Sequence, residues 1–102
     1  MKISDFLSPA DVLLDVRAKD KASLLRQLCA QVATRVGLDA DEVTAQIAKR
    51  EELGSTGLGN GVALPHARLK GLKAPVGVLA GLHHGIDFDA IDNQPVDIVL
   101  LL

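Results

Sequence analysis

The stretch that most restricts the fold is the apolar run at residues 97–102, Asp97-Ile-Val-Leu-Leu-Leu102. Polar and apolar residues do not alternate in it, which is typical of a central strand covered on both faces. The run therefore predicts a mixed β-sheet with helices on two sides. Because it reaches Leu102 without a turn or a polar cap, we expect a single domain at residues 1–102 that lacks a C-terminal part.

Two amphipathic helices are predicted in the first half of the chain. From about Lys19 to Val36 the apolar residues recur every three or four positions, as in a helix with one buried face. Gly37 is expected to end this helix. A second helix should begin at Asp39, with Glu42 in the spacing of a capping box. Its predicted apolar positions are Val43, Ile47 and Leu53.

Shorter apolar runs predict strands at Asp11–Val16, Val62–Leu64 and Val76–Leu82, in addition to the run at residues 97–102. The segment His83-His84-Gly85-Ile86 predicts a hairpin connection after the third of these. Two adjacent histidines in an exposed turn are too few ligands to hold a metal ion firmly. We therefore predict no metal site.

Composition and charge exclude several classes of function. The formal net charge is -2 and Phe6 and Phe88 are the only aromatic residues, so neither a basic footprint nor a stacking surface for nucleic acid is expected. No segment resembles a signal peptide or a membrane-spanning helix. Cys29, the only cysteine, is surrounded by apolar residues and is expected to be buried. These features predict a cytoplasmic protein without nucleic-acid or membrane partners.

A glycine-rich segment, Gly54–Gly61, separates the second helix from the strand at Val62. Glycine-rich loops can present backbone amides to an anion, but many are simply tight turns. The order helix, loop, strand is opposite to that of a P-loop or dinucleotide fold, and no Gly-Lys-Ser/Thr follows. The segment therefore predicts no nucleotide cofactor.

The residues around this segment favour a phosphate site. His66 follows Pro65, and a neutral imidazole has a free ring nitrogen that can attack phosphorus. We predict that His66 accepts a phosphoryl group and that Arg50 stabilises its charge. The predicted phosphate-binding residues are Ser55, Thr56, Gly57, Gly59 and Gly61. The alternatives are a structural histidine, a solvated helix end at Arg50-Glu-Glu52 and turn-forming hydroxyls at residues 55 and 56.

The stretch Arg50-Glu-Glu-Leu-Gly-Ser-Thr-Gly-Leu-Gly-Asn-Gly-Val-Ala-Leu-Pro-His-Ala-Arg68 resembles the active-site signature of the fructose/mannitol class (type 2) of IIA domains. These domains belong to the bacterial phosphoenolpyruvate:sugar phosphotransferase system. The stretch Ile86-Asp-Phe-Asp-Ala-Ile-Asp-Asn-Gln-Pro-Val-Asp-Ile-Val99 resembles the nitrogen-regulatory branch of that family. The resemblance implies an α+β fold, a three-layer α/β/α sandwich, without a bound cofactor.

For the site, the resemblance implies that His66 is phosphorylated on the ring nitrogen farther from the backbone by an HPr-like phosphohistidine protein. Arg50 takes the position of the family's active-site arginine, and Ser55 and Thr56 fall in the loop beside it. A second active-site histidine of the family, followed by further helices, lies beyond the position of Leu102. The resemblance therefore implies that the domain at residues 1–102 lacks its C-terminal helices. We expect a phosphotransferase component that regulates other proteins through phosphorylation-dependent binding.

Two other functions are compatible with the sequence. One is a IIA domain for fructose- or mannitol-type sugar uptake that passes phosphate to a IIB domain. The other is a non-catalytic regulatory module in which the loop only senses an anion. An exposed apolar edge also predicts a possible homo-oligomer.

Overall fold

The computed structural model describes residues 2–5, 7–69 and 76–102, so Phe6 lies outside the described residues. Two short 3₁₀ turns, Ile3–Asp5 and Pro9–Asp11, precede the first strand. The helices are α1 (Lys21–Val36) and α2 (Ala40–Glu52). The strands are β1 (Val12–Val16), β2 (Gly57–Gly59), β3 (Val62–Ala63), β4 (Val78–Ile86) and β5 (Val96–Leu101).

The five strands form one mixed sheet in the order β1-β4-β5-β3-β2. The pairs β1 with β4 and β3 with β5 are parallel, whereas β4 with β5 and β2 with β3 are antiparallel. The apolar run near the C-terminus therefore forms the central strand β5, as predicted. The predicted α/β architecture with a mixed sheet is confirmed.

Local capping sets the ends of both helices. The Asp20 carboxylate accepts the Ser23 N–H at 2.8 Å, which places the start of α1 at Lys21 rather than Lys19. Gly37 ends α1 in the left-handed conformation, with φ of 72°. Asp39 caps α2, but its carboxylate accepts the Asp41 N–H at 3.3 Å instead of forming the predicted capping box with Glu42.

The core lies between the two helices and one face of the sheet. Alternate residues of the central strands point into it, including Val78 and Ala80 of β4 and Val99 and Leu101 of β5. The helices contribute Leu24, Leu25, Leu28, Cys29, Val32, Ala33, Val43 and Ile47, all buried. Leu53, predicted to join this stripe, is 83% exposed because α2 ends at Glu52. That prediction was wrong.

Within residues 2–5, 7–69 and 76–102, the opposite face of the sheet has no helix packed on it. Leu14 of β1 is 79% exposed and Ile98 of β5 is 46% exposed. No helix in these ranges is long and apolar enough to cross a bilayer.

The predicted hairpin at His83–Ile86 was wrong. Strand β4 continues through both histidines to Ile86, which is buried and pairs with Val96 of β5. The connection between β4 and β5 therefore occupies residues 87–95 and contains the fully buried Phe88. The buried residues beyond the histidines explain why the strand is longer than the local sequence indicates, because their pairing continues the ladder.

The glycine-rich segment is a hairpin rather than an open loop. β2 and β3 are joined at Asn60 and Gly61, whose φ values are 54° and 81°. Two successive positive φ angles are typical of a type I′ turn, for which Asn-Gly is a preferred pair. The Asp92 carboxylate accepts the Asn60 N–H at 2.9 Å and the Gln94 N–H at 3.1 Å. These backbone N–H groups hold the pKa of Asp92 below its ordinary value.

Candidate functional site

Arg50 and His66, two of the predicted site residues, lie side by side. Arg50 is in the last turn of α2, and His66 follows Pro65 shortly after β3. The Arg50 Nε–H donates a hydrogen bond to His66 Nε2 across 3.3 Å. The imidazole is exposed to solvent. The structure therefore brings together, on the surface, a cation and an accessible imidazole that are 16 positions apart in sequence.

A backbone contact determines which ring nitrogen of His66 is free. His66 Nδ1 lies 2.9 Å from the carbonyl oxygen of Leu64. Because a carbonyl oxygen can only accept, we assign the ring proton to Nδ1 from this hydrogen-bond network. The lone pair of the neutral ring is then on Nε2, the atom that accepts the Arg50 N–H. Nε2 is therefore the nucleophilic nitrogen, and it is the one farther from the backbone.

Arg50 has a second contact that fixes its side chain. Its Nη1 donates to the carbonyl oxygen of Gly54 at 2.8 Å, across the end of α2. No carboxylate lies within ion-pair distance of Arg50 in the part of the chain that the structure describes. The guanidinium charge is thus held beside Nε2 without an acidic partner, which suits the binding of an anion there.

Glu51, the next residue of α2, turns inward, and its side chain is 6% exposed. Its carboxylate accepts the backbone N–H of Thr56 at 3.2 Å and the Thr56 hydroxyl. It also forms an ion pair with Lys21 Nζ at 2.8 Å. Arg50 and Glu51 therefore do not form the solvated helix end that the sequence left open.

The two predicted hydroxyl ligands take part in internal hydrogen bonds. The Thr56 hydroxyl donates to Glu51, and the Ser55 hydroxyl donates to the carbonyl oxygen of Phe88 at 2.5 Å. Ser55 Oγ also accepts the Gly57 N–H at 3.0 Å. Lys21 Nζ lies 4.5 Å above the Phe88 ring. The contact of the Ser55 and Thr56 hydroxyls with phosphate stays a prediction.

The three glycines predicted to bind phosphate allow backbone segments to pack closely. A Cβ on Gly57 would lie 2.8 Å from both Cα and Cβ of Ala90, so no larger residue fits there without a shift. The Gly61 carbonyl oxygen accepts the N–H groups of Asp97 and Ile98, both at 3.0 Å. Gly59 lies between them in β2 and is buried. A role of Gly57, Gly59 and Gly61 in phosphate binding also stays a prediction.

An apolar cavity of about 200 Å³ adjoins His66. Its walls come from both helices and from the end of β5, and they include Val43, Ile47, Leu69 and Leu101. The imidazole is at its rim and is the only ionisable side chain among the described lining residues. The imidazole is thus next to an apolar surface on one side and Arg50 on another.

Sequence reasoning missed two parts of this site. One is the Leu64 carbonyl, whose role depends on backbone direction and has no signal in the residue type. The other is Glu51, a carboxylate that faces the core at the end of an otherwise polar helix turn. Its position four residues after Ile47 on the buried face was a usable signal.

His83 and His84 lie away from this constellation, in β4. His83 Nδ1 is 2.5 Å from the Asp15 carboxylate of β1, and the two histidine rings are 4.4 Å apart. Among the described residues, no group of three or more His, Cys, Asp or Glu side chains is arranged to hold a metal ion.

Comparison with known proteins identifies the family. Residues 5–102 match the family described as phosphoenolpyruvate-dependent sugar phosphotransferase system, EIIA 2. A nitrogen regulatory protein from Pseudomonas aeruginosa is 37% identical over 103 residues, covering 100% of this chain and 67% of the relative. The fructose-specific EIIABC component of Bacillus subtilis is 28% identical over 104 residues, covering 100% of this chain and 16% of the relative.

Among solved structures, the nitrogen regulatory protein IIA-Ntr from Neisseria meningitidis superposes with a TM-score of 0.93 at 32% identity. The superposition covers 97% of this chain and 68% of that one. The chain spans about two thirds of the length of the Pseudomonas aeruginosa relative. With this match over nearly all of its residues, the chain belongs to the EIIA type 2 family of the phosphoenolpyruvate-dependent sugar phosphotransferase system, and it is similar in sequence and structure to nitrogen regulatory proteins.

Proposed function

We propose that this protein is a phosphoryl carrier of the nitrogen-regulatory branch, and that Nε2 of His66 accepts the phosphoryl group. The observation that carries the proposal is the pairing of Nε2 with Arg50 Nε at 3.3 Å while Nδ1 is bonded to the Leu64 carbonyl. An imidazole nitrogen with an available electron pair and a cation beside it suits phosphoryl transfer, because the protein mainly orients groups and neutralises charge on the phosphoryl oxygens.

The proposed donor is a phosphohistidine on an HPr-like carrier protein. The Nε2 lone pair attacks phosphorus, the Nε2–P bond forms, and the N–P bond of the donor breaks with its electron pair remaining on the donor imidazole. The ring proton stays on Nδ1, held by Leu64 O. Before this attack, Arg50 moves its Nε–H from Nε2 to the phosphoryl oxygens, whose charge it neutralises in the transition state. The step needs no metal ion or cofactor.

Ser55, Thr56, Gly57, Gly59 and Gly61 remain the proposed phosphate-binding residues. The hydroxyls of Ser55 and Thr56 donate to Phe88 O and Glu51 in the unphosphorylated protein. Contact with phosphate therefore requires that these donors exchange partners. Nuclear magnetic resonance chemical shifts of the Ser55 and Thr56 amides before and after phosphorylation test this exchange.

Regulation completes the proposal: in the cytoplasm, the phosphorylated and unphosphorylated forms bind target proteins with different affinities. The higher identity to nitrogen regulatory proteins, 37% against 28% for the fructose-specific component, supports this branch. We propose sugar uptake through a IIB partner as the second candidate, because that component carries the same kind of domain. A non-catalytic regulatory module is the third.

Incubation with phosphoenolpyruvate, the first enzyme of the relay and the HPr-like protein tests the carrier function. His66 should acquire acid-labile phosphate, His66→Ala should acquire none, and His83→Ala should be labelled as the wild type is. Labelling of His66→Ala at the wild-type level would refute the proposal. Onward transfer to a IIB domain would favour sugar uptake, and target binding that ignores phosphorylation would favour the non-catalytic module.

A further inference from the structure

Glu51 has an environment that helix formation alone does not require. Its carboxylate is almost fully buried and contacts two other elements, Lys21 at the start of α1 and Thr56 at the start of the hairpin. Burying a carboxylate is unfavourable unless it is paired, and a buried ion pair is often no more stabilising than apolar residues of similar size. Stability is therefore a weak reason for this arrangement.

The hydrogen bonds of Thr56 lead from Glu51 to His66. The Thr56 carbonyl oxygen accepts the Leu64 N–H at 3.0 Å. The Leu64 carbonyl oxygen in turn receives the His66 Nδ1 proton at 2.9 Å. Glu51 thus anchors a residue that is hydrogen-bonded to Leu64, whose carbonyl oxygen orients the imidazole.

The same carboxylate anchors the Arg50 side of the pair. Arg50 Nη1 donates to the carbonyl oxygen of Gly54, two residues before Thr56. Gly54 is held at the end of α2 by its own N–H, which donates to the Glu51 carbonyl oxygen at 3.1 Å, and by its chain connection to Thr56. Both members of the Arg50–His66 pair therefore depend on the position of the Gly54–Thr56 segment.

Lys21 explains why the Glu51 carboxylate forms no ion pair with the neighbouring Arg50. The Lys21 ammonium group lies 2.8 Å from Glu51 Oε2 and its side chain is only 21% exposed. It also donates to the Phe88 carbonyl oxygen at 3.4 Å. Lys21 neutralises the Glu51 carboxylate on the buried side of α2. The Arg50 guanidinium on the exposed side contacts His66 instead of Glu51.

We propose that Glu51 is a positioning residue for phosphoryl transfer: through Thr56 it holds Arg50 Nε against His66 Nε2, and Lys21 neutralises it. The proposal rests on the carrier function proposed above. It goes further because it gives the consecutive residues Arg50 and Glu51 of α2 different roles. Arg50 contacts the reacting group, whereas Glu51 acts only through Thr56.

Two measurements on matched variants test the proposal. The first is the transfer rate from the phosphorylated HPr-like protein, separated into its maximal rate and its half-saturating donor concentration. Glu51→Gln and Thr56→Val should lower the maximal rate about 10- to 100-fold with little change in half-saturation, as expected for misplaced reacting groups. Glu52→Gln, at the exposed neighbouring carboxylate, should transfer at the wild-type rate.

Thr56→Ser keeps the hydroxyl donor and should restore most of the rate lost in Thr56→Val. The double variant Glu51→Gln/Thr56→Val should be no slower than the worse single variant, because both changes break the same connection. Wild-type rates in both single variants, or fully additive losses, would overturn the proposal.

The second measurement does not depend on transfer. Nitrogen-15 chemical shifts of the unphosphorylated imidazole report whether the proton stays on Nδ1 of His66. The wild type and Glu52→Gln should show the Nδ1–H tautomer, and Glu51→Gln should show a mixture of tautomers. A wild-type protein that accepts no phosphate, combined with this shift in Glu51→Gln, would refute the carrier function and show only that Glu51 orients the His66 ring. Unchanged tautomers in Glu51→Gln would refute the positioning role whatever the transfer rate.

Discussion

At the scale of single residues, the chemistry depends on where one proton and one cation lie. In the proposed transfer His66 attacks through Nε2, which is left unprotonated because Nδ1–H donates to the Leu64 carbonyl oxygen. Arg50 is oriented by Gly54 and points its Nε at that nitrogen. Neither residue is unusual by itself, and their effect arises from the geometry that joins them.

Two replacements of Arg50 should distinguish the effect of its positive charge on the transfer rate from the effect of its planar shape. Arg50→Ala removes the cation beside the attacking nitrogen, and we expect the transfer rate to His66 to fall by about 10²- to 10³-fold. Arg50→Lys keeps the charge but lacks the planar guanidinium, whose Nε and Nη1 bond His66 Nε2 and the Gly54 carbonyl oxygen at the same time. A partial loss of rate is therefore expected. Single-turnover transfer of labelled phosphate measures both. Lys49→Ala, at the exposed preceding residue, is the control, and an Arg50→Ala protein as fast as that control would contradict the expectation.

Cys29 should be chemically inert in the folded protein. It is fully buried, and burial raises the pKa of its thiol to about 11, with the Thr44 hydroxyl opposing the shift. Because the thiolate is the reactive form, we expect no measurable reaction with a thiol-specific disulfide reagent at pH 8. The same reagent should label one thiol per chain in concentrated urea. Native labelling at the rate of the unfolded chain would show that the thiol is accessible.

At the scale of elements, local capping bonds and contacts between residues distant in sequence hold the helices in place against the sheet. Asp11, in the 3₁₀ turn before β1, is 1% exposed and connects this turn to the end of α1. It accepts the Ser8 N–H at 2.9 Å and pairs with Arg35 at 2.6 Å. Such contacts place α1 along the sheet, which in turn places Lys21 beneath Glu51.

Asp11 should give the protein an acid-sensitive contribution to stability. Burial alone would raise its pKa, but the Ser8 N–H and hydroxyl and then the Arg35 guanidinium outweigh burial and hold the pKa below its ordinary value near 3.8. A lowered folded-state pKa stabilises the protein above the unfolded-state pKa, and this contribution disappears as the pH falls through the folded value. We therefore expect wild-type stability to decline below about pH 4.

Asp11→Asn should lower the free energy of unfolding at pH 7 by about 1–3 kcal/mol, since a charge-assisted contact is lost. Its stability should depend less on pH in the acidic range than that of the wild type. Urea titrations between pH 3 and pH 7 measure both effects. Asp89→Asn, an exposed carboxylate whose φ of 54° asparagine tolerates, should remain within about 0.5 kcal/mol of wild type. Parallel pH curves for wild type and Asp11→Asn would contradict the assignment.

The hairpin contributes a second expectation at this scale. Gly57→Ala places a Cβ 2.8 Å from the backbone of Ala90, so we expect a loss of about 1–3 kcal/mol in stability from overpacking. Gly81→Ala in β4 meets only Leu14 Cδ2 at 3.8 Å and should be neutral or stabilising by about 0.5 kcal/mol. Thermal unfolding of the two variants compares them directly. Equal stabilities would show that β2 moves away from residue 90 without resistance.

At the scale of the whole molecule, the described residues bury one face of the sheet and leave apolar side chains on the other. Leu14, at 79%, and Ile98, at 46%, are exposed on β1 and β5, the two strands that flank β4 in the sheet. Exposed apolar patches on a sheet favour association. The possible homo-oligomer predicted from the sequence therefore has a candidate surface in this face.

We expect the 102-residue chain to self-associate weakly through this face. Sedimentation velocity at increasing protein concentration should show a rising weight-average coefficient for the wild type. Leu14→Lys/Ile98→Lys should sediment as a monomer throughout, because two charges replace the apolar contact. Leu53→Lys, at an equally exposed leucine that follows α2, should behave as the wild type does. A wild-type coefficient that does not change with concentration would contradict this expectation.

The sequence by itself determined the features that depend on near neighbours. The periodic apolar residues and the caps at Asp20, Gly37 and Asp39 specify both helices, because helical contacts and capping bonds join residues within four positions. The uninterrupted apolar run indicated the central strand. The motif from Arg50 to His66 indicated the residues for which phosphoryl transfer is proposed, since imidazole and guanidinium chemistry belongs to the residue types themselves.

Only the tertiary structure decided how those residues are combined. β4 extends through His83 because Ile86 finds Val96 across the sheet. Glu51 turns inward because Lys21, 30 positions earlier, and Thr56 meet it beneath the hairpin. His66 and Arg50 become a pair because separate elements bring them to 3.3 Å. The physical reason is common to all three: the partner that fixes each side chain is distant in sequence, so its effect exists only after the chain has folded.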